Sequence, residues 1–314
     1  MKQHNPAKPL YELVQHASIQ PLPGLEGAWI ADDTIQSVGS FKIRGALHAM
    51  QQARGRNPEA LKRGVYCASA GNAAQGVALA AAYLGVSAHI YLPEEVATTK
   101  VAAVELLGGL INHVPGTVDD ALLRAQAECY EKQAYFVHPF DDPDVIAGQA
   151  SLGHEIEDNG KSFDTIFVPV GGGGLLAGVC TALAERKSAT KVVGVQLEGC
   201  DAFSQSVEAR RPVELSSVND LADGIAVKRA GSLTLQTVLG SPNFDSMMTV
   251  TNRELGCALS ELDILTNIQA ETAAGLSFAG LRRHLQRRPP GGNHLAVITG
   301  KHRDPARFQQ LLTA

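Results

Sequence analysis

The run FDTIFVPV, residues 163–170, passes directly into GGGG and then into LLAGVCTALAERK. Its apolar centre does not alternate with polar residues. A strand of that kind is buried on both faces, as an inner strand of a parallel sheet is. The same pattern recurs along the chain: GVYCAS (64–69) before AAQGVALAAAYLG, SAHIYLP (87–93) before TTKVAAVELLG, and LINHVP (110–115) before VDDALLRAQAECYEKQ. AYFVHP (134–139), KVVGVQLEG (191–199) and HLAVITG (294–300) read as further strands, with helices near 142–159, 251–263 and 271–288. Two helices run into Gly85 and Gly108, the residue type best suited to a helix stop. Alternating strands and helices predict an α/β protein with parallel sheets flanked by helices.

The chain has 314 residues, 45% of them hydrophobic, enough for a sizeable core and two lobes. A formal net charge of -5 argues against nucleic acid or an acidic membrane surface as partner. The densest basic run, LRRHLQRRPP, reads as the solvated end of a helix. GVALAAAYLGVSAHIYL is interrupted by Gly85, Ser87 and His89 and reads as a buried helix and a strand, not a membrane span. The N-terminus lacks the apolar core of a signal peptide, and only a terminal helix is expected after Thr299. Five cysteines without C-x-x-C spacing fit a reducing compartment, so a cytoplasmic protein is expected.

Three short stretches carry chemistry. In VPVGGGGLLAGV (168–179), four glycines open a helix, where close backbone approach and unpaired N–H groups suit a phosphate. Gly172-x-Gly174-x-x-Ala177 also satisfies a loose dinucleotide fingerprint, with Glu198 near the place of a ribose-binding acid, so this segment alone leaves a nicotinamide or flavin enzyme open. In CASAGNAAQGVA (67–78), Ser69, Gly71 and Asn72 sit at a second strand-to-helix bend, either as a plain helix cap or as a polar ligand loop. In SVGSFKIRGAL (37–47), Lys42 stands between Phe41 and Ile43. It either snorkels to water from the first turn of a helix or is a desolvated, nucleophilic amine.

Together the motifs resemble the fold-type II pyridoxal-phosphate enzymes, and most closely the threonine/serine dehydratase (ammonia-lyase) and serine racemase group. GSFKIRGA is similar to that family's lysine motif, ASAGNAAQGVA to its substrate and ring loop, and HPFDDPDVIAGQASLGHEI (138–156) to the segment returning to the large domain. GGGGL is similar to its phosphate loop, LADGIAV (221–227) to a further family segment, and ITG (298–300) to the strand end under the ring nitrogen. The resemblance implies a two-domain, tryptophan synthase β-like fold: a large cofactor-binding domain (1–60 and 142–314) with a small domain (61–141) inserted in it. It implies pyridoxal 5'-phosphate as cofactor, bound to Lys42 as a Schiff base. Asn72 would bond the ring hydroxyl, the backbone of Gly171, Gly172, Gly173, Gly174 and Leu175 the phosphate, and Thr299 the ring nitrogen. Phe41 would pack near the ring. Ser69 and the amides of Ala70, Gly71, Asn72 and Ala73 would hold the substrate carboxylate. The implied reaction is β-elimination of a hydroxy-amino acid such as L-threonine or L-serine, to a 2-oxo acid and ammonia. A homodimer is implied as well.

Some positions depart from the resemblance. Ala70 stands where the family's racemases carry a serine as second base, which favours elimination over racemisation. Asn219 stands where a glutamate is common near a structural cation; no metal is expected, and Asp223 is the one candidate ligand. Thr299 resembles the turn of threonine synthases rather than the serine of dehydratases, and Gln20-Pro21-Leu22 replaces a usual Thr-Pro-Leu. A β- or γ-replacement enzyme, threonine synthase-like or cysteine synthase-like, is the alternative, and a non-catalytic amino-acid-binding relative a further one. GHEIED (153–158) lacks the second histidine of H-E-x-x-H and reads as a solvated helix face.

Overall fold

The computed structural model describes residues 13–287 and 291–313. Among the described residues ten strands are numbered in chain order: β1 (Ser18–Pro21), β2 (Ala28–Asp32), β3 (Val65–Ala68), β4 (Ala88–Pro93), β5 (Gly109–Val114), β6 (Tyr135–Phe136), β7 (Thr165–Pro169), β8 (Lys191–Leu197), β9 (Phe244–Val250) and β10 (His294–Ile298). They form two sheets, ordered β5-β4-β3-β6 and β1-β2-β10-β7-β8-β9. By contacts the chain divides into two compact units, each with one sheet. The first takes residues 13–15, Gln36–Val38 and Lys42–Gly148; the second takes His16–Ile35, Gly39–Phe41 and 149–313. The helix Lys42–Arg56 thus clusters with the four-stranded sheet, whereas the sequence-based boundaries place residues 1–60 in the large domain.

In the first unit every strand pair is parallel. Successive side chains of a strand point to opposite faces, and β3 sorts accordingly. Val65 and Cys67 join Ile90, Leu92 and the helices Lys42–Arg56 and Asn72–Leu84 in one core. Tyr66 and Ala68 join Tyr91 and the helix Val118–Lys132 in another. Both faces are covered, which is why β3 is apolar without alternation. β6 is shorter than AYFVHP predicts. Pro139 has no N–H to donate, and the His138 ring takes the two amides that follow it, so the ladder ends.

In the second unit β2, β10, β7, β8 and β9 run parallel, and β1 pairs antiparallel with β2 at the edge. All five residues of β7 are buried. Helix Gly174–Glu185 packs on β7 and β8. Helices Asn252–Thr266 and Gly275–Arg287 cover the face made by Phe167, Val195, Ala296 and Ile30. The basic run at the end of the latter helix is not simply solvated. Arg283 Nε and Nη2 donate to Glu254, and its Nη1 donates to the Thr249 carbonyl at 2.7 Å. GHEIED is likewise partly bound: Glu155 accepts the Ala17 N–H at 2.8 Å. Among the described residues no helix is long and apolar enough to cross a membrane.

Candidate active site

Lys42 is the first residue of its helix, and its side chain is half-buried. Nζ donates to the Pro139 carbonyl at 3.0 Å. Gly76, one turn into the helix Asn72–Leu84, lets that helix press against Lys42: a Cβ there would lie 3.1 Å from the Lys42 carbonyl carbon. Burial pushes the Cys67 thiol up to about 12, with the Lys42 charge opposing the shift. Burial pushes the His138 imidazole down to about 4; Asp141 opposes this shift and Lys42 adds to it. His138 is therefore neutral near pH 7. Its Nδ1 accepts the N–H groups of Phe140 and Asp141, at 3.3 and 2.8 Å. Lys42 thus sits beside a neutral imidazole and a buried neutral thiol.

The loop before Asn72 opens a helix without a side-chain cap. The Ser69 N–H continues the ladder to the Tyr91 carbonyl, and Ser69 Oγ accepts the Gly71 N–H at 3.1 Å. Gly71 is the N-cap of the helix and supplies no side-chain cap, and the first turn holds no acidic residue. Helices Val118–Lys132 and Asn252–Thr266 contrast with it. Each closes its start with a capping box, Thr117 with Asp120 and Thr251 with Glu254. An uncapped helix start offers unpaired N–H groups and a positive dipole end to an anion. Ser69, Ala70, Gly71 and Asn72 are partly exposed, and Ala73 is buried.

In the second unit, the glycine loop follows β7 and Thr299 follows β10, so both lie at the C-terminal edge of neighbouring parallel strands. That edge is where open α/β sheets bind ligands. The carbonyl of Gly172 accepts from Gly231 N–H at 3.2 Å and from Thr234 Oγ at 2.7 Å. A planar trans peptide then turns the Gly173 N–H the opposite way. Gly173, the N-cap of helix Gly174–Glu185, has φ +98°, and a Cβ on it would collide with the Phe203 ring. Only glycine serves there. Leu175 lies in the first turn. Thr299 is 2% exposed, and its carbonyl accepts the Phe41 N–H at 2.9 Å. Ser40 forms an antiparallel bridge with Gly300. Phe41 is thereby pinned at the end of β10, and Lys42 is the next residue in the chain.

Three groups near these residues escaped the sequence reading. His138 lies in a quoted motif, but its turn-making role has no periodic signal. Glu271, only 7% exposed, donates its N–H to the Gly300 carbonyl at 2.9 Å, and its carboxyl group packs on Gly300. Asp32 is paired in register with Ile298 at the end of β2, and burial raises its carboxyl above the usual range. Asn219 is fully engaged, donating to the Glu198 carbonyl and Asn252 Oδ1 and accepting from Leu221 N–H. The side chain of Asp223 lies outside the described residues. Among the described residues no group of three or more His, Cys, Asp or Glu is placed to hold a metal.

A half-buried primary amine, two uncapped helix starts and a loop that a Cβ would fill fit pyridoxal phosphate. Residues 9–300 match the family profile described as pyridoxal-phosphate dependent enzyme. The chain belongs to that family. It is 37% identical over 287 residues to the biosynthetic L-threonine dehydratase of Bacillus subtilis, a match covering 90% of this chain and 67% of the relative. It is 37% identical over 267 residues to the L-threonine ammonia-lyase of Thermotoga maritima, covering 85% and 64%. The chain spans about two thirds of the length of both relatives. The processed threonine deaminase isoform 2 of Solanum lycopersicum superposes with a TM-score of 0.91 at 31% identity, covering 98% of this chain and 85% of that one. The four-glycine loop therefore belongs to a pyridoxal-phosphate enzyme, not to a dinucleotide enzyme.

Proposed function

We propose that the chain catalyses the pyridoxal-phosphate dependent β-elimination of a hydroxy-amino acid, L-threonine or L-serine, to a 2-oxo acid and ammonia. The observation that carries the reading is the half-buried Lys42 amine, held by the Pro139 carbonyl and packed against a helix whose start has no side-chain cap. The names of the relatives support the substrate class. Bound at Lys42, pyridoxal phosphate supplies an electron sink for the pair left on Cα when its proton departs. The protein's own residues do the rest. Ser69 and the amides of residues 70–73 orient the amino acid by its carboxylate. Asn72 holds the ring hydroxyl, and Phe41 packs beside the ring. The amides of Gly171–Leu175 fix the phosphate. Thr299 meets the ring nitrogen with a neutral hydroxyl, which leaves that nitrogen without the proton a carboxylate would secure. The Lys42 amine, neutral once released, takes the Cα proton on Nζ.

Water is lost when the Cα proton and β-hydroxyl leave, and is regained when the imine tautomer of the released enamine is hydrolysed: threonine becomes 2-oxobutanoate and ammonia with no net oxidation. Five free cysteines, four of them buried, support a cytoplasmic setting. The family resemblance supports a homodimer, which sedimentation would test. The decisive test is Lys42→Ala. The variant is expected to lose both the visible absorbance of bound cofactor and the release of 2-oxo acid. A visible band of wild-type intensity in that variant would overturn the reading.

A further inference from the structure

The reaction needs the Lys42 amine held still, and the turn at residues 138–141 supplies the acceptor that holds it. His138 Nδ1 accepts the amides two and three residues ahead, and the carbonyl in the same peptide group as the first of them, that of Pro139, receives Lys42 Nζ at 3.0 Å. The His138 ring is itself wedged edge-on against Phe140, with centroids 4.7 Å apart at 87°. The chain builds the same turn twice elsewhere with aspartate. Asp142 Oδ1 accepts from Asp144 and Val145 at 2.8 and 3.0 Å, and Asp304 Oδ1 accepts from Ala306 and Arg307 at 2.9 and 3.2 Å. Aspartate is thus the ordinary solution for this turn. Beside Lys42 it would bring a carboxylate, and a carboxylate would hold the amine as an ammonium.

We propose that His138 is a positioning residue for Lys42: it locks the turn that aims the Pro139 carbonyl at Nζ, with an uncharged acceptor in place of aspartate. One N–H of the free amine then points to Pro139, and its lone pair stays available for the Cα proton. This rests on the reading of Lys42 as the reacting amine. The titratable and charged groups acting here are Lys42 on its helix, Asp141 and Asp142 on the turn, Asp144 and Arg56 acting on Asp142, and the Cys67 thiol of β3 within reach of the Lys42 charge. The facing helix Asn72–Leu84 carries no charged residue.

Three holoenzyme variants test the proposal. His138→Phe keeps the bulk and removes the acceptor. It is expected to slow cofactor attachment, read as growth of the visible band, and to lower kcat about tenfold or more with a smaller change in KM. His138→Asn restores the acceptor without charge and should recover most of both losses. His138→Asp restores the acceptor with charge. It should move the acidic limb of the kcat profile, and the pH midpoint of cofactor attachment, upward by about one unit. If the phenylalanine variant fails to fold, the asparagine and aspartate variants decide alone. Superimposable pH profiles for those two would overturn the proposal, as would wild-type kcat and attachment rate in a folded phenylalanine variant. An active Lys42→Ala enzyme would instead overturn the reading on which the proposal rests.

Discussion

His138 holds no proton near pH 7 because burial drives its pKa from 6.5 to about 4. The unfolded chain leaves that imidazole in water. Between these two pKa values the unfolded state takes up a proton that the native state refuses. Stability from this residue is therefore complete above pH 6.5 and is lost as pH falls towards 4. The slope is at most about 1.4 kcal/mol per pH unit. Asparagine at 138 keeps the turn and does not titrate. In urea unfolding at about pH 7 and about pH 5, wild type should lose about 1–2 kcal/mol more than His138→Asn on acidification. Equal losses would show that residue 138 does not titrate differently on folding. The same residue marks a limit of sequence reading. Asn72 and the glycine loop stand out because each sits at a strand–helix junction of recognisable composition, and Lys42 because it opens a helix within SVGSFKIRGAL. His138 acts through two amides ahead of it, and Glu271 acts through Gly300, far along the chain. Neither relation leaves a periodic trace.

The elements legible in the sequence are those buried on both faces. β3 and β7 are apolar at nearly every position because helices cover both sides of their sheets. β9 was missed because it is an edge strand with an exposed Asp245 and Ser246, and so has no continuous apolar run. β1 was missed because it is four residues long and ends in proline. Arg283 looked solvated because its partners, Glu254 and Thr249, come from a different helix and a different strand. The helix Asn72–Leu84 supplies a test at this scale. Gly71 has φ -133°, open to any residue, and no atom lies within 4 Å of an added Cβ. Aspartate would fit there and cap the helix, a gain of about 1 kcal/mol by comparison with other caps. It would also place a negative charge where the substrate carboxylate is proposed to bind. Gly71→Asp is therefore expected to hold or raise the melting temperature while raising KM for the amino acid about tenfold or more. A more stable enzyme with unchanged KM would move the carboxylate site away from this helix start.

At the scale of the whole molecule the open question is the fate of Cα once its proton has gone. Inversion requires a second group to deliver a proton to the face opposite Lys42. Of the loop residues 69–73, only Ser69 and Asn72 carry polar side chains. Ser69 Oγ accepts the Gly71 N–H, and the Ala70 methyl has no proton to give. On the proposed reading this loop binds the substrate carboxylate, and Ala70 gives it no base. On that reading Lys42 acts from one face, and departure of the β-hydroxyl is the outlet that needs no second face. The purified holoenzyme with L-threonine is expected to release 2-oxo acid and ammonia in equal amounts. The Cα epimer, D-allo-threonine, should stay below about one part in a hundred of the ammonia formed, since an unassisted proton transfer forgoes roughly 100-fold or more. Chiral chromatography of the recovered amino acid beside a coupled ammonia assay measures both. D-amino acid accumulating as fast as ammonia would mean that a proton donor outside residues 69–73 serves the second face, and the one-base reading would fall.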